Sequence, residues 1–274
     1  SLAIKMQPEH IEIVAVIADL AYQRGARYVD LWTESSHLLR SRVDYCNDAS
    51  LEYVPGYRGL RNAEFIRDRW ALLSLKSPVD PNVLDGVDAE RSGRVSRAVS
   101  KVDATLRRAL GADETQWCVM APPAPAWGAH VFNEPDRETA LERLWDALVP
   151  ILRLDQPDPS AFWGEYGKTL QDRARRLNEI GIASLQVADD GTDLTIPLHS
   201  SAIWVGGGAT TQGGIPFSPN IPTEEVFTAP YAPGVTGRVA ITRPVRVYGG
   251  LVRDAWFEFE NGAVQNYGAA EGRD

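Results

Sequence analysis

The sequence predicts two successive layers: an α/β N-terminal layer on a parallel sheet, then an α+β, mostly antiparallel β second domain. Three observations carry this. Strand, helix and strand signals follow one another between Leu2 and Thr33, and such a short βαβ crossover calls for parallel strands. Strand and helix signals keep alternating as far as Ala121. Beyond Ser184 the signals are strands separated by the turn pairs Asp190–Gly191 and Asn261–Gly262, a hairpin pattern.

The elements follow in order. Residues 2–6, LAIKM, read as a short apolar strand. A helix comes next, with Pro8 near its start, Ile11, Val14, Ile17, Ala18 and Ala21 on one stripe, and Gly25 as its stop. RYVDLWT is the second strand. A helix around Leu60–Arg69, the strand WALLSLKS, a long helix over Asp88–Leu110 and the strand TQWCVMAPP complete the layer. No glycine-rich loop follows Met6, so a dinucleotide or P-loop site is rejected there.

The stretch APPAPAWGAHVFNEPDRE interrupts regular structure and sets the expected domain boundary: 1–121 as the α/β domain, 122–274 as the α+β domain. Helices are expected over residues 137–154 and 159–181, the second stopped by Gly181. Strands then run through SAIWVGG, GRVAITRPVRV and GLVRDAWFEFENGAVQNYG. No internal repeat is visible.

Composition narrows the partners. The net charge of −9 argues against a general nucleic-acid or anionic-membrane binder, since both surfaces favour basic proteins. The most apolar stretch, IEIVAVIADLAY, carries Glu12 and Asp19, so no membrane span is expected. Cys46 and Cys118 are read as free buried thiols of a cytoplasmic protein. The start SLAIKMQPEH has neither an initiator methionine nor a signal-peptide pattern, which suggests a chain that begins inside a longer one.

Few residues offer chemistry. His10, His37, His130 and His199 lack the i,i+4 spacing of a zinc helix, and there is no Cys-x-x-Cys pair. Ser200 and Ser201 stand beside His199 without a nucleophile elbow. Trp127 is expected to pack a domain junction and Asp193 to stabilise a turn. NIPTEEVFTAP is different: it sets Glu224 and Glu225 side by side after the glycine-rich run WVGGGATTQGGIPFSPN, which lets backbone approach a ligand. On a strand the two acids would point to opposite faces, so only one could face a pocket. A plain edge strand bearing two solvated acids fits the composition as well. A glycosidase pair needs two acids on facing elements and fits poorly.

NIPTEEVFTAP, together with GTDLTIPL, LWDALVPILRLDQPDPSAFW and APPAPAWGAHVF, resembles the thermophilic metallo-aminopeptidase family of AmpS, AmpT and PepS type, over nearly the whole chain. The resemblance implies an aminopeptidase that releases N-terminal residues from peptides. It also implies two divalent metal ions per full-length subunit (Co, Zn or Mg) and a homodimer. The second glutamate of the family motif is a metal ligand, which maps to Glu225; no ligand role is carried over to Glu224. A carboxylate suits such hard cations.

The family's opening helix and its remaining ligands, a further glutamate, histidines and an aspartate, have no counterpart here. The resemblance therefore implies a fragment, with weak or absent metal binding and no activity of its own. The alternative is a non-catalytic dimerisation or interaction module derived from that family, with aromatic residues at subunit contacts.

Overall fold

The computed structural model describes residues 1–247 and 250–272. The chain runs β1 (Leu2–Met6), α1 (Ile11–Gln23), β2 (Val29–Thr33), α2 (Ser36–Tyr45), α3 (Tyr57–Arg67), β3 (Ala71–Leu75), α4 (Ala89–Val102), α5 (Ala104–Gly111), β4 (Trp117–Met120), α6 (Pro125–Phe132), α7 (Arg137–Ile151) and α8 (Pro159–Ile180). Strands then dominate: β5 (Ser184–Asp189), β6 (Thr192–Pro197), β7 (Val205–Gly206), β8 (Ala209–Thr210), β9 (Pro216–Phe217), β10 (Asn220–Ile221) and β11 (Val226–Phe227). Last come β12 (Thr236–Ala240), β13 (Val245–Val247), β14 (Gly250–Val252), β15 (Trp256–Glu260) and β16 (Ala263–Gly268).

Two compact units result, Ser1–Gly164 with Gly208–Thr223, and Glu165–Gly207 with Glu224–Asp274. Helices α6 and α7, which follow the boundary drawn from sequence at 121/122, lie in the first unit.

The first unit holds a parallel sheet in the order β10-β4-β3-β1-β2. Because β1 lies between β2 and β3, its flanks are covered by strands and its side chains by helices. Alternation sends Ala3, Trp32 and Leu72 to one face, against Phe65 of α3 and Leu106 of α5. Ile4, Met6 and Leu75 go to the other, against Val14 of α1. Ile4 and Ala3 are fully buried. Helix α1 stops as its sequence predicts, Gly25 taking a positive φ of 86° just beyond it.

Three features of this unit differ from the sequence expectation. Ser35 caps α2, its Oγ accepting the Leu38 N–H at 3.3 Å, although the helix is polar and was not predicted. The single helix expected over Asp88–Leu110 is two, broken at Asp103. Pro125 opens α6 inside the stretch read as irregular, because proline at the first helical position gives up an N–H that has no helical partner anyway.

The second unit holds an antiparallel sheet in the order β16-β15-β12-β6-β5. Its registers place Leu185, Val187, Leu194, Ile196, Val239, Phe257 and Phe259 on one face. The opposite face carries polar pairs beside Trp256: Gln186 donates to Asp193 at 3.1 Å, and Arg238 and Asn266 donate to Glu258 at 3.1 and 3.3 Å. Both predicted hairpins are present. Gly191 has φ 82°, and Asn261 and Gly262 have φ 51° and 78°, as a tight turn between right-twisted strands requires. Two strands read as continuous are interrupted: GRVAITRPVRV splits into β12 and β13, and SAIWVGG pairs only at Val205–Gly206.

Candidate functional site

The acid pair sits where two short anchors meet in sequence. Asn220 and Ile221 pair in parallel with Val119 and Met120 as the outermost strand of the first unit's sheet. Val226 and Phe227 pair antiparallel with Gly206 and Val205 in the second unit. Glu224 and Glu225 precede β11 and belong to no strand, so the alternation expected to send them to opposite faces does not apply. The physical reason is the length of the partner: β7 has two residues and offers nothing for positions 224 and 225 to pair with.

Both glutamates are exposed. The Glu225 carboxylate makes no hydrogen bond or ion pair among the described residues. Its backbone, by contrast, is tightly placed. A Cβ on Gly206 would lie 2.7 Å from the Glu225 carbonyl oxygen, so only glycine admits this approach. Just past β11, the Thr228 hydroxyl donates to the Ile203 carbonyl at 2.8 Å, extending the β7–β11 pairing by one side chain.

Helix α8 holds β7 from the other side. Asn178 accepts the Trp204 N–H at 2.7 Å and donates to the Trp204 carbonyl at 3.0 Å. Gln171 donates to the Gly207 carbonyl at 3.1 Å. Backbones touch at Gly167 and Gly207: a Cβ on Gly207 would stand 2.0 Å from the Gly167 carbonyl oxygen, and Gly207 has φ 75°. Sequence reasoning missed Asn178, Gln171 and Gly167. Only the Gly206–Gly208 run signalled that something packs closely there.

The remaining sequence candidates are dispersed. His10 is buried, its Nε2 2.7 Å from Ser77 Oγ. Since Nδ1 receives the Gln7 N–H, Nε2 carries the proton and donates it to Ser77, which leaves that serine unactivated. Burial holds the His10 imidazole below its ordinary range, against the opposing charge of Glu9. His37 lies 3.5 Å from Asp80, and His130 sits in the last turn of α6. His199 accepts the Ser201 N–H at 3.1 Å and lies 2.7 Å from Ser201 Oγ, a local turn on the surface. Trp127 packs with Leu144, Leu148 and Leu152 of the α7 region, and Asp193 belongs to β6. Cys46 and Cys118 are free but half-buried rather than buried, and desolvation pushes the Cys118 thiol up to about 11.

A profile of the thermophilic metalloprotease (M29) family matches residues 1–274. The chain belongs to this family. Among M29 relatives, it is 33% identical to aminopeptidase 2 of Geobacillus stearothermophilus over 96% of this chain and 64% of that protein. It is 33% identical to aminopeptidase T of Thermus aquaticus, over 97% of this chain and 65% of that protein. The solved structure of wild-type AmpT from Thermus thermophilus superposes with a TM-score of 0.88 at 29% identity, covering 100% of this chain and 67% of that one. The chain thus spans 64% and 65% of the length of the first two relatives.

An M29 metalloprotease implies a bound metal ion. No group of three or more histidine, cysteine, aspartate or glutamate side chains converges among the described residues. One exposed carboxylate at 225 does not fit a two-cation centre, because it leaves most of each coordination shell to other donors. No helix of the described residues is long and apolar enough to cross a membrane.

Proposed function

We propose that this chain supplies the α/β layer and the first part of the catalytic domain of a metal-dependent aminopeptidase that releases N-terminal residues from peptides. Glu225 is the carboxylate it contributes to a pair of divalent cations (Co, Zn or Mg), and no ligand role is assigned to Glu224. The assembly is a cytoplasmic homodimer, with the chain's functional division near 121/122. The observation that carries this is the M29 match over residues 1–274, with Glu225 unpartnered on a tightly placed backbone. By themselves the 274 residues hold the cations weakly or not at all and turn over no peptide.

A hybrid in which this chain replaces the corresponding part of the Thermus thermophilus aminopeptidase tests the reading. The folded hybrid is expected to hydrolyse leucine p-nitroanilide with added Co²⁺. A hybrid that melts cooperatively yet shows no turnover contradicts it.

A second reading, a non-catalytic dimerisation module, is favoured by one observation. Leu38, Tyr45, Tyr53, Tyr57 and Leu60 of the α2–α3 region are each at least 67% exposed. Large apolar side chains left open in this number mark interaction surfaces. Light scattering on the purified chain tests this surface: a dimer that falls to monomer mass when Tyr57 and Leu60 become serine supports it, and a dimer that keeps its mass has its interface elsewhere.

A further inference from the structure

The acid pair's exposure leaves open what keeps Glu225 in one place, because an unpartnered carboxylate on an irregular segment is free to wander. The answer lies one layer back. Helix α8 presents Asn178, whose amide closes both hydrogen bonds on the Trp204 peptide, at 2.7 and 3.0 Å. An asparagine in this pose replaces the neighbouring strand that β7 lacks on that side. Gln171 adds a bond at 3.1 Å to the Gly207 carbonyl, so both ends of the Trp204–Gly207 segment are tied to one rigid helix. The opposite edge of the same segment pairs with Val226 and Phe227, and its Gly206 admits the Glu225 backbone.

We infer that Asn178 is a positioning residue for Glu225: through Trp204 and β7 it fixes the strand from which that carboxylate projects. The inference rests on reading Glu225 as a functional carboxylate, but the clamp itself can be tested without that reading. The hydrogen bonds of Asn178 go to Trp204. A two-residue strand pair is marginal alone, because each bond repays the ordering of nearly a whole residue. Tying β7 to a long helix removes the other way for the pair to open.

The experiment uses the 274-residue chain with carboxyl-¹³C glutamate and a Glu225→Gln reference to assign the Glu225 line. Asn178→Leu, which keeps the volume and removes both bonds, is expected to speed amide exchange at Val205–Gly206 and Val226–Phe227 about tenfold. It is also expected to move or broaden the Glu225 carboxyl line while exchange in β1, β3 and β4 stays unchanged. Gln171→Ala, a milder surface change, is expected to act in the same direction and serves if Asn178→Leu fails to fold. Unchanged exchange at 226–227, or an unmoved Glu225 line in either folded variant, overturns the inference. In the hybrid protein, turnover that survives Glu225→Gln overturns the ligand role of Glu225 and leaves the clamp on β7 standing. Turnover lost with Glu225→Gln yet untouched in kcat by Asn178→Leu overturns the clamp and leaves the reading standing.

Discussion

Arg58 of α3 forks onto Asp103, its Nε and Nη2 meeting the two carboxylate oxygens at 2.8 and 2.5 Å, at the break between α4 and α5. Asn62 adds a third donor at 2.9 Å. These partners explain why one predicted helix is two: the Asp103 carboxylate is held by α3 rather than left to a continuous helix surface.

The fork predicts a pH-dependent cost. Burial works to raise the Asp103 pKa, but the hydrogen bonds from Arg58 and Asn62 and the Arg58 charge outweigh it, so the carboxyl sits below its ordinary 3.8. A depressed folded pKa gives stability that is fully present above the unfolded value and lost as pH falls through the folded one. Asp103→Asn is expected to cost about 2 kcal/mol at pH 7, between the values for exposed and buried pairs. Urea midpoints should show that cost shrinking from pH 3.8, where the unfolded chain starts to take up the proton, down to the lowered folded value.

His10 predicts a separate window at higher pH. Its imidazole is kept neutral by burial, so the unfolded chain takes up a proton first as pH falls below 6.5. Stability therefore declines from pH 6.5 down to the lowered folded value. Replacing His10 with Gln, which can still donate to Ser77, is expected to flatten that slope in urea titrations between pH 7 and the acid side without moving the Asp103 window.

Gly128 predicts a packing cost. It lies on α6, where a Cβ would stand 2.3 Å from the Ala140 carbonyl oxygen of α7. Gly128→Ala must push the two helices apart, against the tendency of alanine to favour a helix. A net loss of about 1–3 kcal/mol is expected from thermal or urea unfolding. A gain would mean the helices are not in this close contact.

The 274-residue chain predicts its own silence. With one candidate ligand, metal analysis after dialysis against Co²⁺ should find well under one ion per chain, and leucine p-nitroanilide should remain intact. Turnover that disappears on Glu225→Ala would contradict the claim that further donors are required.

Much of this fold was legible in the residues. Pro8 and Gly25 bracket α1, and Asn261–Gly262 turns the β15–β16 hairpin, because each of these residue types is tied to one backbone geometry. Asn220–Ile221 was not legible as the outer strand of the parallel sheet, since two residues carry no period and the partner Val119 is remote in sequence. Asn178 was hidden for a similar reason. On the polar side of a long helix it looks like any solvated side chain until Trp204 is folded against it. Glu225 drew notice only through its motif; its pairing context was wrong because the strand begins one residue later, at Val226.

The contrast between the two neighbouring acids tests the central claim most directly. In the hybrid aminopeptidase, Glu225→Gln and Glu224→Gln remove one charge each from adjacent exposed positions, and kcat with saturating Co²⁺ is compared. Loss of nearly all turnover in the first and retention in the second is the predicted result. Full activity with glutamine at 225, or equal loss at both positions, contradicts the assignment.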